Sequence, residues 1–269
     1  MDLNTVEAVL RPRMRSELPP SASGDSFLAG GTWLFSEPQP ALRRLVDLSA
    51  LRWESLRRTE TALHVAATCT FAELEAFEAP VDWIAAELIT SCCHALLGSF
   101  KIRGVATVGG NLCLGLAAGP MVALATALDG TCVIWSTDGG DRLLDAVEFV
   151  AGPGQTALRP GELLREILLP AAAFRRRTAF RQGSLTTYGR SAALLIGSRD
   201  GVGFTLTITA ATPHPVRIVF DGFPESAELE ARIDVEVPAW YDDIHGAPDW
   251  RRNLTHLLAQ EIRLELSAP

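Results

Sequence analysis

Lys101-Ile102-Arg103-Gly104-Val105-Ala106-Thr107-Val108-Gly109-Gly110-Asn111-Leu112-Cys113 holds a Gly-Gly pair with a threonine two residues before it and an asparagine directly after it. Two adjacent glycines remove the Cβ atoms that keep a backbone away from a bulky ligand, and they permit positive φ. Successive N–H groups in such a turn can converge on an anion. A second turn of the same kind stands earlier, at Leu28-Ala29-Gly30-Gly31-Thr32-Trp33-Leu34. Taken singly, each pair is as well explained by an ordinary loop. Taken together, two Gly-Gly-polar turns suit a diphosphate held between them.

The rest of the chain bounds what such a clamp belongs to. A chain of 269 residues buries roughly three quarters of its unfolded surface, enough for one or two domains. A net charge of −8 argues against a nucleic-acid partner, which would call for a basic face. Lys101 is the only lysine, so nearly all basic charge is arginine. Cys69, Cys92, Cys93, Cys113 and Cys132 have no CxxC spacing and no histidine pattern beside them. They read as small buried hydrophobes of a reducing, cytoplasmic compartment, with no metal site. The first twenty residues lack the apolar run of a secretory signal. Gly104–Leu128 is uncharged and long enough to span a bilayer, but its five glycines, Asn111 and Pro120 make it a buried loop leading into a buried helix.

Apolar spacing divides the chain into three blocks. Residues 1–55 read as a small α/β unit: a helix over 1–19 with Val6, Leu10 and Met14 on one face, then strands at Phe27–Ala29 and Arg44–Leu48. Residues 56–170 read as a second α/β unit. It has strands at Ala62–Ala67, Thr131–Trp135 and Leu163–Leu169, a capping box at Thr70/Glu73, a helix over Val81–Leu97 and a helix begun by Pro120. Residues 171–269 read as an α+β domain. Three antiparallel strands (Arg190–Gly197, Phe204–Ala210, Val216–Phe220) are covered by a helix with Trp250, Leu254, Leu257, Leu258 and Ile262 on one stripe and Asp249 as N-cap. Arg175-Arg176-Arg177 reads as a solvated linker able to contact an acidic partner. No nucleophile elbow, P-loop, zinc-protease or dinucleotide motif is present.

The chain resembles the FAD-binding medium subunits of the molybdenum hydroxylases, the family of xanthine dehydrogenase and carbon monoxide dehydrogenase, which share a flavin fold with the p-cresol methylhydroxylase and vanillyl-alcohol oxidase flavoproteins. The resemblance rests on Leu-Ala-Gly-Gly-Thr at 28–32, Ile-Arg-Gly-Val-Ala-Thr-Val-Gly-Gly-Asn at 102–111 and Glu-Leu-Leu-Arg-Glu-Ile-Leu-Leu-Pro at 162–170. It continues in Ala-Phe-Arg-Gln at 179–182 and Trp-Arg-Arg-Asn-Leu at 250–254.

That resemblance implies an α+β, PCMH-type FAD-binding fold of two α/β subdomains. They are followed by a C-terminal three-stranded antiparallel sheet with helices, of the carbon monoxide dehydrogenase flavoprotein type. It implies that Leu28, Ala29, Gly30, Gly31, Thr32, Trp33 and Leu34 on one side, and Thr107, Val108, Gly109, Gly110 and Asn111 on the other, hold the diphosphate with backbone amides. Leu97 and Leu164 fall where the family packs apolar side chains on the cofactor. Arg181 falls where many members carry a lysine near the flavin or its phosphates, and a planar fork there changes the contact geometry. Two positions depart from the family. Gly119-Pro120 replaces the aspartate that usually holds the ribose, and Trp33 stands where polar or acidic residues are common.

The implied role is electron transfer. An iron–sulfur small subunit would deliver electrons from [2Fe–2S] clusters, a large subunit would carry the molybdenum cofactor, and NAD+ or another acceptor would take electrons from FAD, in a dimer of heterotrimers without a membrane. Two other readings stay open at this stage: a scaffold subunit that has lost FAD, and a self-contained flavin oxidase.

Overall fold

The computed structural model describes residues 3–268. The first block is a three-stranded parallel sheet: β1 (Ala8–Leu10), β2 (Asp25–Leu28) and β3 (Arg44–Asp47), with β3 in the centre. A helix expected over 1–19 is absent among its described residues, which hold β1 and a single 3-10 turn at Arg15–Glu17. Pro12 stands inside that span and removes an amide the helix would need. β1 pairs with β3 instead. β2 is anchored at its start by the Arg44 guanidinium, which donates to both carboxylate oxygens of Asp25, with Nε 2.8 Å from Oδ1. Arg44 thereby holds Asp25 below the usual carboxylate range. That ion pair fixes the strand that enters the first glycine turn.

The second block is built on a five-stranded antiparallel sheet. In chain order its elements begin β4 (Leu56–Arg58), β5 (Ala62–Ala66), α1 (Phe71–Glu75), α2 (Glu87–Ala95), α3 (Phe100–Arg103), α4 (Val108–Cys113) and α5 (Pro120–Ala127). They continue with β6 (Thr131–Trp135), β7 (Asp141–Asp145), α6 (Ala146–Phe149), a short hairpin of β8 (Val150–Gly152) and β9 (Gln155–Thr156), β10 (Leu163–Pro170) and α7 (Ala171–Phe174). The sheet order is β4-β5-β10-β6-β7. α1 starts at the expected capping box, with the Thr70 hydroxyl accepting from the Glu73 amide and Glu73 accepting from the Thr70 amide. α5, with Pro120 at its first position, is buried along its whole length and carries no amphipathic stripe, as a helix at the centre of a core should.

The helix expected over 81–97 is shorter. A 3-10 turn at Ile84–Ala86 precedes α2, because Trp83 turns inward to stack on Phe174 with ring centroids 4.4 Å apart. At the other end the chain leaves α2 through Leu97 in the left-handed region, at φ 54°.

The third block is a meander of β11 (Arg177–Gly183), β12 (Ala193–Asp200), β13 (Gly203–Thr209) and β14 (Val216–Phe220), followed by α8 (Ser226–Glu236) and α9 (Pro248–Ser267). The sheet therefore has four strands, not three. β11 takes up the last residue of what reads in sequence as linker together with the 179–182 motif, and the linker's arginines are engaged within the chain. Arg175 pairs with Asp82 at 2.7 Å, Arg176 with Asp129 at 2.6 Å, and Arg177 donates to the carbonyl of Ala268.

α9 is capped by Ala247, with Pro248 at its first position, rather than by Asp249. Its inward stripe is Arg251, Thr255, Leu258, Ala259, Ile262 and Leu266, rotated by one residue from the apolar stripe; Leu257 stays exposed. Arg251 is 1% exposed. It donates to the carbonyls of Gly246, Ala192 and Ala210 and pairs with Asp243. One buried guanidinium thus ties α9 to the ends of β12 and β13 and to the 243–246 loop. A stripe predicted from hydrophobicity skips such a residue.

Candidate functional site

The first glycine turn leaves β2 at Leu28 and packs directly on the second motif. A Cβ on Gly30 would lie 2.0 Å from the carbonyl oxygen of Val105, a backbone atom that cannot swing aside. Gly31 has φ 69°, a conformation that carries little penalty only for glycine, and its carbonyl accepts from the Phe35 amide at 2.9 Å. Among the described residues, the N–H groups of Gly30, Gly31, Thr32, Trp33 and Leu34 have no hydrogen-bond acceptor. Five consecutive unpaired donors on a half-buried turn form a cradle for an anion.

The second motif is organised differently. Thr107 is the N-cap of α4, its hydroxyl accepting from the Gly110 amide at 3.1 Å, so Gly109 and Gly110 are helical and have no positive φ. The amides of Val108 and Gly109 donate to the carbonyls of Cys69 and Ala67, at 2.8 and 2.9 Å, and the Asn111 amide donates to Thr107. These amides are spent on holding α4. The glycine at 109 is explained by packing: a Cβ there would come within 2.4 Å of the Ala67 Cβ. Asn111 is buried, and its Oδ1 accepts from the Met121 amide at 3.0 Å, which fixes the start of α5 beside Gly119-Pro120.

Between the two motifs lies an open cleft of about 670 Å3. The whole of Leu28–Leu34 lines it, together with Leu97, Thr107, Gly110 and Asn111. Val108 and Gly109 lie behind it, buried against the end of β5. Leu164 is 1% exposed within the core and pairs across to Ile134, so it does not reach the cleft. Arg181 does not reach it either: it bridges Glu261 and Glu265 of α9, at 2.8 and 2.7 Å. Both side chains are directed by strand alternation, which short motifs do not register.

Other lining residues carry no motif at all. Tyr188 and Arg190 come from the β11–β12 loop, His245 from the loop clamped by Arg251, and Gly119 and Pro120 from the segment where the ribose-binding aspartate is missing. Cys113, expected to be buried, is exposed and also lines the cleft, whereas Cys69, Cys92, Cys93 and Cys132 are buried. Burial pushes those four thiols well up, which makes them unreactive. Among the described residues no His, Cys, Asp and Glu side chains gather into a metal-holding group.

Residues 16–172, more than half of the chain, match the family described as FAD binding domain in molybdopterin dehydrogenase. The chain belongs to this family. An FAD-binding role in an oxidoreductase setting follows from that membership. Among curated relatives, the chain is 34% identical over 189 residues to the caffeine dehydrogenase subunit beta of Pseudomonas sp. (strain CBB1), a match covering 65% of this chain and 61% of that one. It is 30% identical over 166 residues to the nicotinate dehydrogenase FAD-subunit of Eubacterium barkeri, covering 57% and 51%. The matched part thus spans between half and two thirds of these relatives' length.

The fold of the family is shared in full. Reconstituted CO dehydrogenase from Oligotropha carboxidovorans superposes with a TM-score of 0.82 at 20% identity, over 97% of each chain. Quinoline 2-oxidoreductase from Pseudomonas putida 86 superposes with 0.80 at 19% identity, over 98% of each.

The residues present fit the cofactor of the family. The unpaired amides of 30–34 suit a diphosphate, Gly30 lets that turn pack on Val105 at the cleft wall, and Leu97 and Ile102 line the cleft with apolar surface suited to a planar ring.

Proposed function

We propose that this chain is the FAD-binding electron-transfer subunit of a molybdenum hydroxylase-type complex. In this reading it takes electrons from [2Fe–2S] clusters of a small partner subunit and passes them through FAD to NAD+ or another acceptor. A large partner subunit carries the molybdenum cofactor and the substrate site, and the complex is a cytoplasmic dimer of heterotrimers. The observation that carries the reading is the run of five unpaired amides at 30–34, pressed against the 102–111 motif and open to the cleft. No helix among the described residues is long and apolar enough to cross a membrane.

FAD, when bound, supplies the exchange between one-electron and two-electron carriers. The chain's own residues do the holding. The 30–34 amides bind the diphosphate, and the Thr107 and Asn111 caps keep α4 and α5 in place behind it. Leu97 and Ile102 exclude water from the apolar wall. In place of the usual aspartate, the backbone of Gly119-Pro120 and the Trp33 ring, which line the cleft, would hold the ribose.

The test is direct. The purified chain, supplied with FAD and freed of excess, is expected to show a bound flavin spectrum and to release FAD on denaturation. Folded protein that retains no flavin would refute the reading in favour of a cofactor-free scaffold. Expressed with its neighbouring chains, it is expected to co-purify with iron–sulfur and molybdenum-containing subunits. Turnover of an organic substrate by the isolated flavin-loaded chain would instead mark a self-contained oxidase.

A further inference from the structure

Charge in the cleft is distributed in a way the family motifs do not explain. A diphosphate diester is a dianion, and the backbone amides at 30–34 offer dipoles without formal charge. The arginine that resemblance places near the cofactor, Arg181, is turned away and neutralised by Glu261 and Glu265. Among the described residues that line the cleft there is no aspartate or glutamate, and Arg190 is the one side chain permanently charged at neutral pH. Arg190 sits on the 184–192 loop between β11 and β12. Its guanidinium has no hydrogen-bond or ion-pair partner among the described residues. Arginines elsewhere in the third block are engaged: Arg175, Arg176, Arg181, Arg199, Arg217 and Arg251 all have acceptors.

An exposed arginine is ordinarily free because water serves it. Here the free arginine lines an otherwise uncharged cleft that is also lined by the turn with the unpaired 30–34 amides. The loop that carries it also has a fixed base. Ser191 is buried and hydrogen-bonded to the Gln182 amide at 2.9 Å, and the Ala192 carbonyl is held by Arg251. The backbone that carries Arg190 is therefore anchored beside the cleft.

We propose that Arg190 is the charge partner of the cofactor's diphosphate, contributed by the C-terminal domain, so that FAD is gripped by amides from the first block and by a guanidinium from the third. The proposal rests on the FAD-binding reading and assigns a residue that the family motifs do not. A guanidinium matches phosphate oxygens with two parallel donors, which an ammonium cannot reproduce.

The experiment compares dissociation constants of the full chain for FAD, ADP and riboflavin, with Arg190→Gln, Arg190→Lys and Arg181→Gln as variants. A charge-assisted contact of this kind is worth roughly ten-fold to a hundred-fold in affinity. Arg190→Gln is expected to weaken FAD and ADP by that factor and leave riboflavin, which has no phosphate, within about two-fold. Arg190→Lys is expected to recover part of the loss, and Arg181→Gln to bind FAD like the parent. Raising NaCl from about 0.05 M to about 0.5 M shortens screening roughly three-fold, and should weaken FAD binding more in the parent than in Arg190→Gln.

Equal losses for riboflavin and FAD would place Arg190 on the ring and overturn the proposal, as would unchanged FAD affinity in a folded Arg190→Gln. A parent chain that binds none of the three ligands would instead remove the FAD-binding reading itself. Because Arg190 is exposed and unpaired, the Arg190 variants are expected to keep the parent's melting temperature, and the salt series on the parent needs no variant.

Discussion

Leu97 is a leucine where the backbone asks for glycine. It follows the end of α2 at φ 54°, a region that costs an ordinary L-residue about 1–2 kcal/mol, and it lines the cleft with its side chain 45% exposed. Glycine at the same place would remove that strain. It would also forfeit the buried part of the side chain, about 1 kcal/mol from roughly half of a full leucine burial, and would gain chain entropy in the unfolded state.

The relief of strain nearly cancels the two losses, so Leu97→Gly should leave apo stability within about 1 kcal/mol of the parent, a few degrees in melting temperature at this size. Leu97→Ala loses the same contacts and keeps the strain. It should therefore be less stable than Leu97→Gly by about 1 kcal/mol, the reverse of the order at an ordinary helical position. Both variants lose the apolar wall, and covering the exposed half of a leucine is worth about 1 kcal/mol. FAD affinity should fall about five-fold in each. Urea titration of the apo chain and FAD fluorescence quenching measure the two quantities. If alanine proves as stable as glycine here, Leu97 stores no strain; if FAD affinity is unchanged, Leu97 does not face the cofactor.

Three further outcomes follow from the same geometry. Gly30→Ala places a Cβ against the Val105 carbonyl and should cost at least about 1–3 kcal/mol along with most FAD binding, while Gly222→Ala, with open space around it, should be neutral by thermal melting. Arg251→Met leaves Asp243 and three backbone carbonyls without their donor and should lower the urea-derived stability by about 3–5 kcal/mol. Asp25 is held below its ordinary value by Arg44. Its contribution is therefore present above the unfolded value near pH 3.9 and is lost as pH falls through the depressed folded value. Asp25→Asn should be less stable than the parent at pH 7, and their melting temperatures should converge as pH drops toward about 2.

Much of the fold was open to reading because its signals are local. The Thr70 capping box and the proline that starts α5 depend on neighbours a few residues away, and each stands where spacing puts it, whereas β13 keeps its place but has Thr207 and Thr209 of its polar face buried by packing. Where the reading failed, a distant partner overrode the local preference. Pro12 and the pairing of β1 with β3 displaced an N-terminal helix, β11 was drawn into the sheet by β12, and the inward face of α9 was set by a buried arginine.

The same division runs through the cleft. The two glycine turns are visible in sequence as residue types, but only Gly31 is explained locally, by its positive φ; Gly30 and Gly109 answer to close approach by Val105 and Ala67, far along the chain. Their roles were decided only in three dimensions. One turn keeps its amides free to meet an anion, while the other spends its own on Ala67, Cys69 and Thr107 to hold a helix. Sequence alone determined that this chain belongs with flavin-binding subunits, since the spacing of the motifs survives in one dimension. Tertiary structure alone decided that Arg181 faces α9, that Leu164 lies in the core, and that Arg190, Tyr188 and His245 meet at the cleft. A side chain's direction depends on which strand or loop packs beside it, and that neighbour lies far along the chain.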